Sequence, residues 1–220
     1  MKAPRGHIVL LGDSIFDNQS YTAGQPDVVS HLRTLVPPQW EATLCAVDGA
    51  TTGSVARQFD DIPEDASHLV LSIGGNDALS HLDLLDTRLG SSREALLLYD
   101  RRVGAFEEGY RDVMAPLAGR RLPLTVCTIY NGALPAEIAT PARMLLMMFN
   151  DVIMRAALEH RASVIELRTV CVTPSDYANP IEPSGAGGRK IAAAIARAVG
   201  ALPGPAASQV YTGWHRVDHA

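Results

Sequence analysis

The segment GDS carries the first residue that could do nucleophilic chemistry. It ends in Ser14 and directly follows an apolar run. A serine at the turn from a strand into a helix can expose its hydroxyl near the helix N-terminus, where the helix dipole favours developing negative charge. The same position is also typical of a serine that only caps a helix. Ser14 is therefore a candidate nucleophile, with helix capping as the alternative.

Two further polar segments could donate hydrogen bonds to an oxyanion. In DGATTG, Gly49 would let backbone N–H groups approach a negatively charged oxygen, or would simply form a turn. In GGND, Gly75 allows a sharp turn and the side-chain amide of Asn76 can donate. Asp77 is expected to be a loop or helix-cap carboxylate. DGATTGS has no lysine at the spacing that a phosphate-binding loop requires, so we exclude that function.

Short apolar runs alternate with helical segments and must position these residues. The predicted strands are 7–11, 42–47, 68–73, 123–129 and 163–167, and the predicted helices are 28–35, 93–117, 141–160 and 184–199. Five such strands separated by helices indicate an α/β fold, a three-layer α/β/α sandwich with a five-stranded parallel sheet. Ligands bind beyond the carboxyl ends of the strands in such a sheet. The three polar segments should therefore meet at one edge.

The composition is that of an ordinary globular protein. The chain has 220 residues, 47% of them hydrophobic and 20% charged, and its net charge is −5. We expect a single domain over 1–200 and a tail or strap over 201–220. Because lysines and arginines are not clustered, nucleic acid is excluded as a partner. No apolar run is long enough for a membrane span, and the N-terminal run is too short for a signal peptide. A cytoplasmic protein is expected.

Two sets of sulfur-containing residues have structural interpretations. Cys45, Cys127 and Cys171 are odd in number and include no C-x-x-C pair, so we predict three buried thiols in a reducing compartment. The segment 144–154 is rich in methionine and is predicted to be core or the face of a homodimer. Its alternative is an acyl-binding pocket, because methionine adapts to irregular ligands. The methionines concerned are Met144, Met147, Met148 and Met154.

In their order, each after a strand, the polar segments resemble the blocks of the SGNH or GDSL hydrolase family. The blocks are GDSIFDN, the Gly49 turn, SIGGNDAL and a last block whose PS..GG..IA ending matches, and together they span residues 7 to about 200. The resemblance implies a flavodoxin-like fold, hydrolysis of a small ester or acylated substrate, and no metal or organic cofactor. It implies Ser14 as nucleophile, with the Ser14 N–H among the oxyanion donors. The implied oxyanion and substrate-binding residues are Asp13, Gly49, Gly75 and Asn76.

The last block departs from the family pattern, in which Asp-x-x-His supplies the base. Asn179 and Glu182 occupy those two positions here. The ordinary pKa of a glutamate is about 4.3, and burial could raise it to the roughly 6–7 that suits a base at neutral pH. Asn179 would orient the carboxylate by donating a hydrogen bond. In a related version, Glu182 activates water directly and Ser14 only binds substrate.

Two other hypotheses stay open. A histidine elsewhere could supply the base: His81 starts near the same sheet edge, and His215 and His219 lie in the tail. Alternatively, Ser14 is not activated, and the protein is a weak or inactive member that binds a small ligand. A site that lacks one member of its triad can still retain some rate over water through the oxyanion hole. The sequence as a whole favours a serine hydrolase with Ser14 as nucleophile and Glu182 as base.

Overall fold

The sheet is five-stranded and entirely parallel in the computed structural model, which describes residues 5–204 and 208–212. The strand order is β2-β1-β3-β4-β5. This is the doubly wound order of flavodoxin-like folds, as the sequence predicts. The strands are β1 (Gly6–Gly12), β2 (Trp40–Leu44), β3 (His68–Ser72), β4 (Leu124–Cys127) and β5 (Ser163–Ile165).

Helices cover both faces of this sheet. On β1, Ile8 and Leu10 belong to one apolar cluster and Val9 and Leu11 to the other, because successive side chains point to opposite faces. The first cluster includes α1 and α6, and the second includes α3 and α4. The helices are α1 (Val28–Leu35), α2 (Gly75–Leu79), α3 (Ser92–Gly119), α4 (Ala136–Glu159), α5 (Leu167–Val170) and α6 (Gly185–Ala198).

Side-chain caps fix the starts of four of these helices, among them α1, α3 and α6. The Asp27 side chain accepts a hydrogen bond from the Ser30 N–H at the start of α1. Ser91 caps α3 in the same way, and Ser184 caps α6. Each cap satisfies a backbone donor that has no partner within the helix. The α6 cap also fixes the end of the loop that precedes this helix.

The bounds of two elements differ most from the sequence expectation. Strand β2 ends at Leu44 because the N–H groups of Cys45 and Ala46 both donate to the Leu10 carbonyl, which breaks the regular ladder. Helix α4 begins at Ala136, ahead of the expected 141. Pro141 lies inside it, near an exposed end where water can satisfy the carbonyl that the proline leaves free.

The three cysteines are buried and free, as predicted. The four methionines of α4 do not form core: Met144 and Met147 are about half exposed, at 56% and 52%. Among the described helices, none combines the length and apolar character needed to cross a bilayer.

Candidate active site

The candidate site lies where the strand order reverses direction. Strand β1 pairs with β2 on one side and β3 on the other, and Ser14 follows β1 while the GGND segment follows β3. The Asp13 N–H donates to the Ser72 carbonyl over 3.1 Å and joins the two turns. This is the switch point at which doubly wound sheets bind ligands. The expected meeting of the two segments is therefore observed.

Backbone geometry at both strand ends requires glycine. Gly12 has φ +130°, and a Cβ there would stand 1.8 Å from the Ser72 carbonyl oxygen. Gly74 has φ +117°, and a Cβ there would stand 2.9 Å from the Phe106 ring. Buried Gln58 holds the first turn, because its amide accepts from the Gly12 N–H and donates to the Gly12 carbonyl. These contacts fix the chain immediately before Ser14.

Ser14 and Glu182 form a direct pair. The Ser14 hydroxyl donates to Glu182 Oε1 over 3.0 Å, and both residues are only 6% exposed. Glu182 comes from the loop between α5 and α6, 168 residues along the chain from Ser14. Its second carboxyl oxygen is buried and has no hydrogen-bond partner among the described residues. A nucleophile and a base within hydrogen-bond reach are the signature of an activated hydroxyl.

The Glu182 carboxyl titrates close to neutral pH. Burial raises its pKa to about 7, and the nearby Asp48 carboxylate adds to the rise. The hydrogen bond from Ser14 opposes this shift because it favours the charged form. A base with a pKa near the operating pH combines proton affinity with a substantial ionised fraction.

Hydrogen bonds to the backbone hold the Glu182 loop. Asn179 Oδ1 accepts from the N–H groups of Ile181 and Glu182, each over 2.9 Å. Asn179 therefore shapes the loop and does not donate to the carboxylate, which corrects the orienting role expected from the sequence. The short Asn side chain bonds its own backbone two and three residues on, as Asx turns do. Tyr130 and Asn18 donate to the carbonyls of Ile181 and Pro183.

Asp13 is a second buried carboxyl in the site. It is 2% exposed and lines the cavity, and Oδ1 accepts from the Ile15 N–H over 3.1 Å. Burial raises its pKa to about 8, against the lowering effect of that hydrogen bond. The charges of Glu182 and Asp77 contribute to this rise. Asp13 is therefore mainly protonated at neutral pH.

The expected oxyanion donors surround Ser14 unevenly. Asn76 and Gly75 line the cavity, and Asn76 Nδ2 donates to the Ala50 carbonyl over 2.9 Å. Gly49 has φ +78° but is exposed and is not among the cavity-lining residues. In the described part of the chain, no acceptor bonds the backbone N–H of Ser14 or Gly49.

Asp77 binds the loop that carries the glycine turn. Its carboxylate accepts from the N–H and the hydroxyl of Thr52, the latter over 2.6 Å. This agrees with its expected role as a loop carboxylate. Asp17 accepts from the Asp48 N–H over 2.9 Å, so the turn is anchored at both of its ends.

An apolar cavity extends from the Ser14–Glu182 pair. Its cavity volume is about 90 Å³, and it is partly open to solvent. Its walls are mainly apolar, and they include leucine, isoleucine and phenylalanine side chains from α4 and from the chain after β3 and β4. Examples are Leu79, Leu82, Leu134, Leu145 and Phe149. None of the α4 methionines lines it, because they lie on other faces of that helix.

His81, the candidate histidine within the described residues, does not bond Ser14. His81 lines the same cavity, and its ring centroid lies 5.8 Å from that of Phe149. His81 Nδ1 is buried without a partner among the described residues, so no carboxylate orients this ring. His215 and His219 lie outside the described residues. Glu182 is therefore the acceptor that the structure places on Ser14.

One cluster of potential metal ligands lies at the opposite edge of the sheet. Donor atoms of His7, Glu41 and Asp65 lie within 4.8 Å of one another. Both ring nitrogens of His7 are already engaged, one with Asp65 at 2.9 Å and the other with Thr43 at 2.8 Å. This cluster is at the start of β1, away from Ser14.

Several residues that build the site gave no recognisable signal in the sequence. Gln58 and Asn150 each clamp both backbone groups of one residue, Gly12 and Ile129 respectively. Single buried amides have no periodicity and belong to no motif. The apolar face of α4 was predicted, and it could have indicated Leu145 as part of a cavity wall.

Comparison with known proteins identifies the class. A sequence model of the GDSL-like lipase/acylhydrolase family matches residues 10–190. This match spans most of the chain, so the chain belongs to that family. Membership in this family supports the interpretation of the protein as a hydrolase. A search of curated protein sequences gives no significant match.

Solved structures share the fold at low sequence identity. An extracellular lipase from Streptomyces rimosus has TM-score 0.64 and 16% identity over 88% of this chain and 99% of its own. An acetylxylan esterase from Geobacillus stearothermophilus has TM-score 0.64 and 19% identity over 91% and 97%. A phospholipase A1 from Streptomyces albidoflavus NA297 has TM-score 0.64 and 16% identity over 87% and 98%. These similarities establish the fold.

Proposed function

We propose that the protein is a serine hydrolase of small esters or acylated metabolites, with Ser14 as nucleophile and Glu182 in place of the usual histidine base. The observation that carries this proposal is the 3.0 Å hydrogen bond from the Ser14 hydroxyl to Glu182 Oε1, at the inner end of an apolar cavity. The pKa of Glu182, raised to about 7, supports a role as base at neutral pH.

The reaction proceeds in two halves. The Ser14 Oγ attacks the carbonyl carbon of the ester and gives its proton to Glu182, while the carbonyl oxygen becomes an oxyanion. The oxyanion is held by the Ser14 N–H group and by the Asn76 amide, both of which belong to cavity-lining residues. When the tetrahedral intermediate collapses, the alcohol leaves with the proton from Glu182. Water then attacks the acyl-serine with Glu182 again as base, and the carboxylic acid is released.

The cavity walls support an apolar acyl group as the part of the substrate that binds there. Leucine and phenylalanine side chains offer no hydrogen bonds to a sugar or a phosphate, whereas each buried methylene of an acyl chain contributes about 0.8 kcal/mol. A cytoplasmic location and a homodimer remain parts of the proposal.

Fluorophosphonate labelling tests the nucleophile. The protein, Ser14→Ala and Glu182→Gln would be incubated with probe at pH 6, 7.5 and 9 and followed by intact mass and peptide mapping. We expect stoichiometric labelling of Ser14, faster at pH 7.5 than at pH 6, no labelling of Ser14→Ala, and slow labelling of Glu182→Gln.

Two outcomes would redirect the proposal. Absence of labelling in folded protein over hours at excess probe contradicts serine catalysis and favours the ligand-binding alternative. Equal labelling rates for the protein and Glu182→Gln contradict the role of Glu182 as base. Hydrolysis of p-nitrophenyl acetate compared with the octanoate then tests whether the acyl group occupies the cavity.

A further inference from the structure

Asp13 is a buried carboxyl for which the proposed reaction has no step. It directly precedes the nucleophile, is 2% exposed and lines the cavity. One of its oxygens accepts from the Ile15 N–H, and the other lies 3.7 Å from where a Cβ of Gly75 would stand. A charge on Asp13 would therefore lie between the Ser14 turn and the turn that carries Asn76.

Two carboxylates act on Asp13 through their charge: Glu182 in the loop before α6, and Asp77 in α2. Among the described residues that line the cavity, none is a lysine or an arginine. A buried carboxylate without a cation or several donors is costly, and such groups take up a proton instead.

Further titratable groups around Asp13 are two tyrosines, a cysteine and a histidine. Tyr110 of α3, Cys127 of β4 and Tyr130 after β4 lie close enough for an Asp13 charge to raise their pKa values. All three are buried and stay protonated at neutral pH. The histidine is His81, which lines the cavity. Within residues 5–204 and 208–212, no lysine or arginine therefore lines the cavity to compensate a charge on Asp13.

Resting on the proposed function, we propose that Asp13 must keep its proton for Ser14 to react, and that ionisation of Asp13 switches the site off. When Ser14 attacks, the substrate carbonyl oxygen gains a negative charge within the cavity that Asp13 lines. A neutral Asp13 carboxyl does not repel this charge, so the oxyanion donors can stabilise it. An ionised carboxyl repels it in an environment where water screens poorly.

The order of the two ionisations makes the switch compatible with catalysis. Glu182 must lose its proton to act as a base, and its pKa is about 7. The pKa of Asp13 is about 8, and the charge on Glu182 is one of the causes. The reactive form, with Glu182 ionised and Asp13 neutral, is therefore most populated between these two values. Proteins elsewhere keep a carboxylic acid neutral at pH 7 in this way.

The rate of fluorophosphonate labelling at Ser14 between pH 6 and pH 10 tests the switch. In the unmodified protein we expect the rate to rise through about pH 7 and to fall about tenfold per pH unit above pH 8. Asp13→Asn cannot ionise, so its ratio of rates at pH 9.5 and pH 7.5 should be at least ten times higher. If the labelling rate of Asp13→Asn falls above pH 8 as steeply as that of the unmodified protein, the inference is overturned.

Asp77→Asn is the matched control. This substitution removes the charge of Asp77, which has the same side chain as Asp13, and leaves Asp13 itself unchanged. Because the charge of Asp77 raises the pKa of Asp13, we expect Asp77→Asn to keep the alkaline fall and to shift its midpoint to lower pH. A midpoint that does not move, or moves to higher pH, contradicts the assignment of the fall to Asp13.

A measurement on the unmodified protein separates this inference from the proposed function. The ¹³C resonance of the Asp13 carboxyl is titrated between pH 4 and pH 10, and we expect a midpoint near 8. A midpoint below 6 overturns the inference whether or not Ser14 reacts, and whether or not Asp13→Asn folds. Absence of labelling at every pH is a failure of the proposed function. If Ser14 is labelled but the labelling rate of Asp13→Asn falls above pH 8 as it does in the unmodified protein, this inference alone fails.

Discussion

Two carboxylates in the segment between α5 and α6 have opposite surroundings. Asp176 is 1% exposed, its Oδ1 lies 2.6 Å from Lys190 Nζ, and its Oδ2 accepts from the N–H groups of Val172 and Thr173. Glu182 is 6% exposed, and among the described residues only Ser14 donates a hydrogen bond to its carboxylate. Both carboxylates are buried, so they differ not in burial but in their hydrogen-bond and ion-pair partners.

The difference separates a structural carboxylate from one that can take a proton. Burial acts to raise the pKa of Asp176, but the ammonium group of Lys190 and the backbone donors hold it below its usual range. Burial of Glu182 is not balanced in this way, and its pKa rises to about 7. A strongly perturbed group in a cavity is typical of a functional site. The Asp176 end anchors the loop, and the Glu182 end carries the carboxyl that we propose as the base.

The largest expected effect concerns reactivity. Glu182→Gln removes the proton acceptor but keeps the shape of the side chain, so we expect Ser14 labelling and ester hydrolysis to fall by about 10²–10⁴-fold. Asp176→Asn should lower the rate by less than about tenfold, because it acts only on the position of the loop. Measured kcat/KM values for the two variants make the comparison. An equal loss in both would mean that Glu182, like Asp176, only holds the structure.

Stability should show the reverse order. Asp176→Ala removes the partner of Lys190 and of two backbone N–H groups, and we expect a loss of about 1–3 kcal/mol in the free energy of unfolding. Lys190→Ala should cost less, because Lys190 is 43% exposed and its removal leaves the backbone bonds in place. Urea unfolding at pH 7 measures both. A greater loss of stability in Glu182→Gln than in Asp176→Ala would contradict the division of roles.

The pH dependence of stability sharpens the contrast further. Between the unfolded pKa of Glu182, about 4.3, and its folded pKa of about 7, the folded protein holds a proton that the unfolded chain has lost. Stability from this group is therefore present at low pH and is lost as pH rises through about 7. Glu182→Gln has no titrating carboxyl at this position, so it does not lose this stability. Relative to that of the unmodified protein, its free energy of unfolding should rise by about 1–3 kcal/mol between pH 4.5 and pH 8. Thermal unfolding at both pH values tests the sign.

The smallest expected effect is electrostatic. Asp48 raises the pKa of Glu182 without bonding it, and its own carboxylate accepts from the Tyr21 hydroxyl. Asp48→Asn should move the acidic limb of the pH–rate profile to lower pH by a few tenths of a unit. Because salt screens exposed charges, high salt should shrink the difference between the two profiles. A shift to higher pH would mean that Asp48 does not act on Glu182 through its charge.

The fold and the position of the site could be predicted from the sequence because both depend on local patterns. Apolar runs mark β1 and β3, and glycines mark the turns that follow them. The placement of Glu182 against Ser14 followed from the order of the family blocks. Helix α2 was missed because five residues are too few to show a helical period.

The hydrogen-bond partners of the site residues could not be predicted. Asn179 was expected to donate to the carboxylate, but its oxygen bonds the loop backbone, and residue type alone does not distinguish these arrangements. Gln58 and Asn18 bind backbone groups that are 46 and 165 residues distant. Contacts between residues so far apart in sequence form only in the assembled fold, so no periodic sequence pattern indicates them.

The loop after β4 and the Glu182 loop are joined by two hydrogen bonds. Tyr130 donates to the Ile181 carbonyl over 2.6 Å, and the Ala133 N–H donates to the Pro180 carbonyl over 2.9 Å. The first loop forms part of the cavity wall, so a displacement of this loop that keeps both bonds also displaces the segment that carries Glu182. The shape of the cavity and the position of the Glu182 carboxyl are therefore mechanically coupled.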